Sequence, residues 1–221
     1  MLLVACAGYK ISETLGFLRE HNIPACGFPI LDIIPVAHEF PENIEGIFFT
    51  SSAPIDLIEK RNIPTYCIGK KTAERAKEAG FNVVYTGTGS AQDMAIDLAK
   101  LSLPKRCWHP TNPKGKQNWY TRLTQTEVHR DIVYLLKPAK ELPQQIIEDI
   151  NNHKITDVVL MSAMGARNFA SLIIKNDIDV SNICLIVFSN QVMAEVKNFP
   201  FTKKITLPSP SLEALVQNQM T

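Results

Sequence analysis

The sequence predicts an α/β fold of two lobes, each with a parallel sheet flanked by helices. Short apolar runs typical of strands alternate with helix-like runs along the whole 221-residue chain, which is the pattern of strands joined by helical crossovers. A polar, proline-bearing passage at 35–45 and a fresh start at Pro138 divide this alternation into three series. A chain of this length can also fold as one large domain, but the breaks favour two domains of about 100 residues each.

The composition disfavours several classes of protein. Hydrophobic residues make up 45% of the chain and charged residues 20%, and the net charge of +1 gives no electrostatic reason to expect nucleic-acid binding. The five cysteines and five histidines show no metal-ligand spacing, so we expect no metal and buried, reduced thiols. No apolar run approaches the roughly 18 residues of a membrane span, and no charged and apolar leader precedes Cys6. We therefore expect a cytoplasmic protein.

The first two series predict strands and helices in a regular order. The first gives a strand at 2–7, a helix at 12–20 that Ser12 caps, and a strand at 23–28. The second gives a strand at 46–50, a helix near 53–61, a strand at 64–68, a helix from Thr72 to the stop residue Gly80, and a strand at 82–85. It continues with a helix opened by a capping box of Ser90 and Asp93, a strand at 106–109, a polar loop at 111–117, a helix near 117–124 and a strand at 131–136.

The third series begins at Pro138 and repeats an earlier pattern. Its first helix has Pro143 at its first position and ends near Asn152. Strands follow at 155–161, 183–188 and 203–207, and they alternate with helices at 164–175, 190–198 and 211–217. Ser209 and Pro210 start the last helix. Residues 157–199 repeat the order of 46–80: strand, hydroxyl, helix, strand, short turn, helix. This echo indicates a duplicated unit and a two-lobed molecule with a cleft.

Hydroxyl side chains follow the predicted strands at several strand-to-helix junctions, among them Ser51, Thr72, Ser90 and Ser162. Ligands of open parallel sheets bind outside the carboxyl ends of the strands. Free N–H groups and the positive end of the helix dipole favour anions there. Taken together the junctions suit a ligand with carboxylates, although for any one hydroxyl plain helix capping is the simpler explanation.

Several catalytic and cofactor patterns are missing. The segment Gly87-Thr88-Gly89 lacks the third glycine of a dinucleotide fingerprint, and Gly8-Tyr9-Lys10 follows the first strand where that fingerprint would begin. The sequence has no G-x-S-x-G motif and no paired carboxylates at one junction, which disfavours hydrolase chemistry. We expect no dinucleotide cofactor.

Loose motifs in a specific order resemble the uroporphyrinogen-III synthase family over essentially the whole chain. The matching segments are Phe49-Thr50-Ser51, Gly69-Lys70-Lys71-Thr72-Ala73, Gly89-Ser90-Ala91, Val133-Tyr134, Met161-Ser162, and the closing run from Pro208 to Leu215. The resemblance implies a first lobe from both chain ends, 1–35 and 138–221, and a second lobe, 38–132, inserted between them through a two-stranded connection. The family cyclises hydroxymethylbilane, a linear tetrapyrrole with eight carboxylates, to uroporphyrinogen III. It loses water, inverts the last pyrrole ring and needs no cofactor.

The resemblance also implies roles for particular residues. Tyr134 matches the family's cleft tyrosine and would assist departure of the substrate hydroxyl. The residues expected to bind the substrate are Thr50, Ser51, Thr72, Ser90, Thr111, Lys114, Ser162 and Gly165. The expected partners are hydroxymethylbilane itself and the hydroxymethylbilane synthase that hands it over, with no nucleic acid and no membrane, and we expect a monomer.

Some segments depart from the family's pattern. Ala5-Cys6-Ala7-Gly8 stands where many members have Thr-Arg, and the segment 188–194 lacks the threonine of a second Gly-x-x-Thr-Ala turn. Lys114, Lys116 and Arg167 are further candidates to contact carboxylates, or else belong to a solvated face. The alternative function is a catalytically degenerate two-lobed protein of the same fold that binds a tetrapyrrole, or a nucleotide through Gly87-Thr88-Gly89.

Overall fold

The computed structural model describes residues 1–115 and 118–220. Its strands are β1 (Leu2–Ala7), β2 (Ala25–Pro35), β3 (Gly46–Phe49), β4 (Pro64–Cys67), β5 (Asn82–Thr86), β6 (Arg106–Thr111), β7 (Glu127–Ile132), β8 (Tyr134–Pro138), β9 (Asp157–Leu160), β10 (Cys184–Val187) and β11 (Lys203–Thr206). Its helices are α1 (Gly8–Glu20), α2 (Lys70–Glu78), α3 (Ala91–Leu98), α4 (Gln144–Asn151), α5 (Ala163–Lys175), α6 (Asn190–Val196) and α7 (Leu212–Gln219). None of the helices in these ranges has the length and apolar character that a membrane span needs.

The chain divides into two compact units, each with its own sheet. One unit comprises Met1–Ile33 and Lys137–Thr221, and the other Ile34–Leu136. The first sheet has the strand order β11-β10-β9-β1-β2-β8 and the second β5-β4-β3-β6-β7. All four strand pairs of the second sheet are parallel, as are β1 with β2 and with β9, and β10 with β9 and with β11. The predicted α/β class with two parallel sheets is therefore confirmed.

Both sheets reverse their strand order at one point. In the second sheet the chain starts at β3, moves outward through β4 and β5, and then returns to the other side of β3 with β6 and β7. In the first sheet it starts at β1, continues with β2 and β8, and returns to the other side of β1 with β9, β10 and β11. The two echoing sequence segments contain corresponding strand pairs, β3-β4 and β9-β10, and the next strand along the chain, β5 or β11, extends each pair outward.

The apolar strands at the centre of each sheet are buried, as in β1 and β3, whereas the edge strands β5 and β11 are partly exposed. Along β1, Leu3 and Ala5 belong to one core cluster, whereas Val4 and Cys6 belong to another. Successive side chains of a strand point to opposite faces, so the two clusters lie on the two sides of the sheet. A parallel sheet covered on both faces requires such nearly continuous apolar strands, which explains why the strands were easily found in the sequence.

The single strand predicted at 131–136 is wrong, because the structure divides it at Val133. Residues up to Ile132 belong to β7 in the second sheet, and residues from Tyr134 belong to β8 in the first. The Val133 N–H donates to the Thr111 carbonyl at 3.0 Å, and its own carbonyl accepts from the Val36 N–H at 2.9 Å. The chain thus changes sheets within one residue.

Two predicted helices are absent from the described residues. The segment predicted as a helix near 53–61 forms turns with i→i+3 bonds, from the Ile55 N–H to the Ser52 carbonyl at 3.2 Å and from the Leu57 N–H to the Pro54 carbonyl at 3.0 Å. Pro54 has no N–H to donate, and so short a segment nucleates a helix poorly. Of the helix predicted near 117–124, residue 117 lies outside the described residues and 118–123 form turns.

Several helix starts differ from those predicted. Helix α1 begins at Gly8 directly after β1, so Ser12 lies inside the helix and does not cap it. Helix α7 is capped by Ser211, whose Oγ accepts from the Ala214 N–H at 3.1 Å, rather than started by Ser209. Pro143 is the N-cap of α4, one position before the predicted one.

Gly80 terminates α2, as predicted. It has φ +84°, its N–H donates to the Lys77 carbonyl at 2.8 Å, and the following Phe81 N–H reaches the Ala76 carbonyl at 2.9 Å. This pair of bonds is the Schellman motif, which needs a left-handed residue after the helix.

We expect Gly80→Ala to lower the free energy of unfolding by about 1 kcal/mol, because an L-residue is strained at this φ. Gly16→Ala is the matched control: Gly16 lies inside α1 with no atom within 4 Å of an added Cβ, so alanine should raise stability by roughly 0.5 to 1 kcal/mol. Urea denaturation followed by circular dichroism measures both. A change of the same sign in the two variants would contradict this account of Gly80.

Candidate functional site

The reversal of strand order in the second sheet brings polar residues together. Strands β3 and β6 are neighbours, and both end at the same edge of the sheet. Thr50 and Ser51 follow β3, whereas Thr111 ends β6 and Asn112 follows it. In open α/β sheets the crevice outside such a reversal point is where ligands bind, so this edge is the candidate functional site of the unit.

Tyr134 lies within this group, in hydrogen-bond contact with residues from both strand ends. Its Oη is 2.9 Å from the Asn112 Nδ2 and 3.3 Å from the Ser51 Oγ. The phenol is buried, with 3% of its surface exposed. The structure thus brings Ser51, predicted to bind substrate, and Tyr134, predicted to be catalytic, to within hydrogen-bond distance of each other.

The backbone N–H of Lys114 determines how Asn112 faces Tyr134. That N–H can only donate, and it lies 2.9 Å from the Asn112 Oδ1. The amide nitrogen of Asn112 must therefore face Tyr134 and donate to its oxygen. Because the phenolic oxygen accepts this bond, its own proton points elsewhere, to Ser51 or to a bound ligand.

His109, on β6, is a neutral residue at the centre of the site. Its side chain is fully buried, and its Nε2 lies 2.9 Å from the Thr50 Oγ1. Burial, and secondarily the positive charge of Arg130, lower the pKa of His109 to about 3. The imidazole is therefore uncharged near neutral pH. It positions the Thr50 hydroxyl and is unsuited to act as an acid.

Thr72 and Ser90 lie at helix starts, and Thr111 lies at a strand end. Thr72 lies buried in the first turn of α2, and the Ser90 Oγ caps α3 by accepting from the Asp93 N–H at 3.5 Å, so the capping explanation holds for Ser90. Thr111 is also buried, at 3% exposure, on the last position of β6.

The starts of α2 and α3 lie side by side. A Cβ on Gly69, the N-cap of α2, would come within 3.3 Å of the Gly89 backbone. A Cβ on Gly87 would lie 2.7 Å from the Ile68 carbonyl oxygen, so the Gly87-Thr88-Gly89 segment has a packing reason for its first glycine. The paired helix starts offer backbone N–H groups to an anion.

The residues predicted in the first unit have local partners. Ser162 is the exposed N-cap of α5, and its Oγ accepts from the Gly165 N–H at 3.1 Å. That N–H already has a partner. The Arg167 guanidinium forms two hydrogen bonds with the Glu195 carboxylate, at 2.6 and 3.0 Å. Of the candidate lysines, the Lys114 side chain is exposed, and Lys116 lies outside the described residues.

The described residues include no group of three side chains that could hold a metal ion. Burial raises the pKa of the Cys6, Cys67 and Cys107 thiols to about 12. These three are buried, as predicted, whereas Cys26 and Cys184 are half-buried. A thiol with so high a pKa is a poor nucleophile, so none of these three is a candidate for nucleophilic chemistry.

Sequence reasoning did not single out Asn112, His109 or Arg130 as functional residues. His109 ends the predicted strand 106–109, and its spacing to the other histidines indicates no metal or catalytic site. The Asn112-Pro113 dipeptide is typical of a turn start directly after a strand, and this was the available indication that Asn112 would stand at the strand end.

One comparison with known proteins, a scan against family models, gives a family match. The family model described as uroporphyrinogen-III synthase HemD matches residues 12–217. Among solved structures, a mutant uroporphyrinogen III synthase of Thermus thermophilus is similar, with 13% identity, a TM-score of 0.48, and coverage of 100% of this chain and 98% of that one. A second Thermus thermophilus structure has 13% identity, a TM-score of 0.43 and the same coverage. A comparison with curated proteins found no significant match.

We expect His109 to remain uncharged from pH 8 down to pH 5, because its burial beside Arg130 disfavours the imidazolium. Nitrogen-15 NMR of the imidazole measures this, with the His109 signals assigned by their loss in His109→Gln. Protonation of His109 between pH 6 and 7 would show that the ring is more open to water, or closer to a negative charge, than the structure indicates.

Proposed function

Because the chain belongs to the uroporphyrinogen-III synthase family, we propose that the group formed by Ser51, Asn112 and Tyr134 binds and activates the substrate of the family's reaction. The activity is the cyclisation of hydroxymethylbilane to uroporphyrinogen III, with loss of water and inversion of the terminal pyrrole ring. The observation that carries the proposal is the hydrogen-bond chain from Ser51 through the Tyr134 phenol to the Asn112 amide.

The hydrogen bonds among Ser51, Tyr134 and Asn112 serve one step of the reaction, the departure of the substrate hydroxyl. A hydroxide ion is a poor leaving group, so the C–O bond breaks more readily when a proton reaches the oxygen in the transition state. The electron-rich pyrrole stabilises the carbocation that remains. The Tyr134 oxygen accepts from Asn112, so its proton is free to be donated to the leaving hydroxyl. Tyr134 is the proposed general acid, Asn112 its positioning residue, and Ser51 a second hydrogen-bond partner.

The second proposed role of the protein is to restrain the linear tetrapyrrole substrate. Spontaneous closure of hydroxymethylbilane gives the symmetric type I isomer, so the protein must hold the terminal ring for attack at the other position. The side-by-side starts of α2 and α3 suit substrate carboxylates through their backbone N–H groups. Thr50, held by His109, adds a hydroxyl at the same edge of the sheet.

Three narrower expectations stay predictions. They are a cytoplasmic location, handover of substrate from hydroxymethylbilane synthase, and a monomeric state. We also propose Thr72, Ser90, Thr111, Lys114, Ser162 and Gly165 as secondary substrate contacts.

The first test generates hydroxymethylbilane in situ, adds the purified chain, and resolves the oxidised uroporphyrin isomers by chromatography. The wild type should yield mainly type III. Tyr134→Phe should lower the rate of type III formation about 100-fold, within the range of general acid catalysis. Tyr66→Phe, which removes a hydroxyl from a buried tyrosine of β4, is the control and should leave the rate unchanged. Full activity of Tyr134→Phe would refute its proposed role.

Asn112→Leu tests whether Asn112 acts through Tyr134. We expect the single variant to lose most of the Tyr134-dependent rate, because the phenol is no longer oriented. The double variant with Tyr134→Phe should be little worse than Tyr134→Phe alone, since residues that act through one group are not additive. Rates of type III formation for the four proteins give the coupling, and additive losses would show that Asn112 acts independently.

A further inference from the structure

Arg130, on β7, is a half-buried cation beside the proposed site. It pairs in register with His109 on β6. Its Nη2 donates to the Asn112 carbonyl oxygen at 2.8 Å. Its Nε is buried and has no hydrogen-bond partner. The guanidinium is thus held by the backbone of the residue whose side-chain amide contacts Tyr134.

This arginine has no acidic partner among residues 1–115 and 118–220. The two other half-buried arginines there do, since Arg75 pairs with Asp56, and Arg106 lies 3.3 Å from Glu127. The adjacent carboxylate, Asp131, points to the opposite face of the strand. It accepts from the Trp108 indole N–H at 2.8 Å and lies 3.0 Å from the His129 Nε2.

The immediate surroundings of Arg130 do not compensate its charge. His109 is uncharged, and its Nδ1 is buried without a partner. Trp119, whose ring meets His109 edge-on with a centroid distance of 5.5 Å, also has a buried indole N–H without a partner. A partly desolvated cation without a counter-charge is unfavourable, so the guanidinium favours an incoming anion.

We propose that Arg130 binds a carboxylate of the tetrapyrrole substrate, an assignment that rests on the proposed function. The guanidinium matches the planar geometry of a carboxylate, to which it can donate two parallel hydrogen bonds. Because Asn112 contacts both Arg130 and Tyr134, a carboxylate on Arg130 fixes the distance between one substrate side chain and the proposed acid.

The test compares Arg130→Gln and Arg130→Lys with the wild type and with the control Arg106→Gln. Arg106 lies on β6, three residues before His109, and its cation already has Glu127 as partner. We expect Arg130→Gln to raise KM for hydroxymethylbilane about tenfold with a smaller change in kcat. Arg130→Lys should recover part of that loss, and Arg106→Gln should leave KM unchanged. The increase of KM with salt should be weaker in Arg130→Gln, because one ionic contact is lost.

A binding measurement separates this inference from the proposed function. Uroporphyrin III, the oxidised product, is titrated against each variant by fluorescence, and Arg130→Gln should bind it about tenfold more weakly than wild type. If the wild type yields only type I uroporphyrin, the proposed function fails and this titration decides on Arg130 alone. An unchanged KM and unchanged uroporphyrin binding in Arg130→Gln would overturn the inference. So would a loss confined to kcat and thermal stability, which indicates a role only in holding Asn112.

Discussion

The order of the parallel strands is the constraint on which the candidate site depends. The chain enters the second sheet at its central strand β3 and later adds β6 on the other side of β3. The two strands therefore end side by side although about 60 residues of sequence separate them. Their last residues are followed by Ser51 and Asn112, and both side chains reach Tyr134. The hydrogen-bond chain is thus a consequence of topology, and a different strand order would separate its members.

The site combines neutral hydrogen-bonding groups with the positive charge of Arg130, which has no acidic partner in the part of the chain that the structure describes. The hydroxyls, the amide and the uncharged imidazole carry no negative charge that would repel substrate carboxylates. The described side chains that contact Tyr134 include no carboxylate. Arg130 supplies the positive charge, which backbone hydrogen bonding holds in place. In the proposed function this arrangement attracts a substrate carboxylate, and the phenol is the group that donates a proton.

The sequence predicted most of the strands, because buried parallel strands are continuous apolar runs and Ser or Thr follows several of them. It failed where tertiary contacts override local pattern. The segment near 53–61 looks helical, yet it forms turns that bury Ile55 and Ile58. The proposed role of Asn112 depends on an amide orientation set by the Lys114 backbone. The proposed role of Arg130 depends on the lack of an acidic partner among the described residues. Neither property is encoded in local spacing.

The placement of Tyr134 has a consequence for how the site is inherited. Ser51, His109, Asn112, Arg130 and Tyr134 all lie in the unit Ile34–Leu136, which is one uninterrupted stretch of chain, whereas the other unit is assembled from both chain ends. One continuous gene segment therefore encodes the entire hydrogen-bond network. Recombination at the two points where the chain passes between the units would exchange that network as a block. A chimaera made there would carry the proposed proton donor Tyr134, the amide of Asn112 and the cation of Arg130 together.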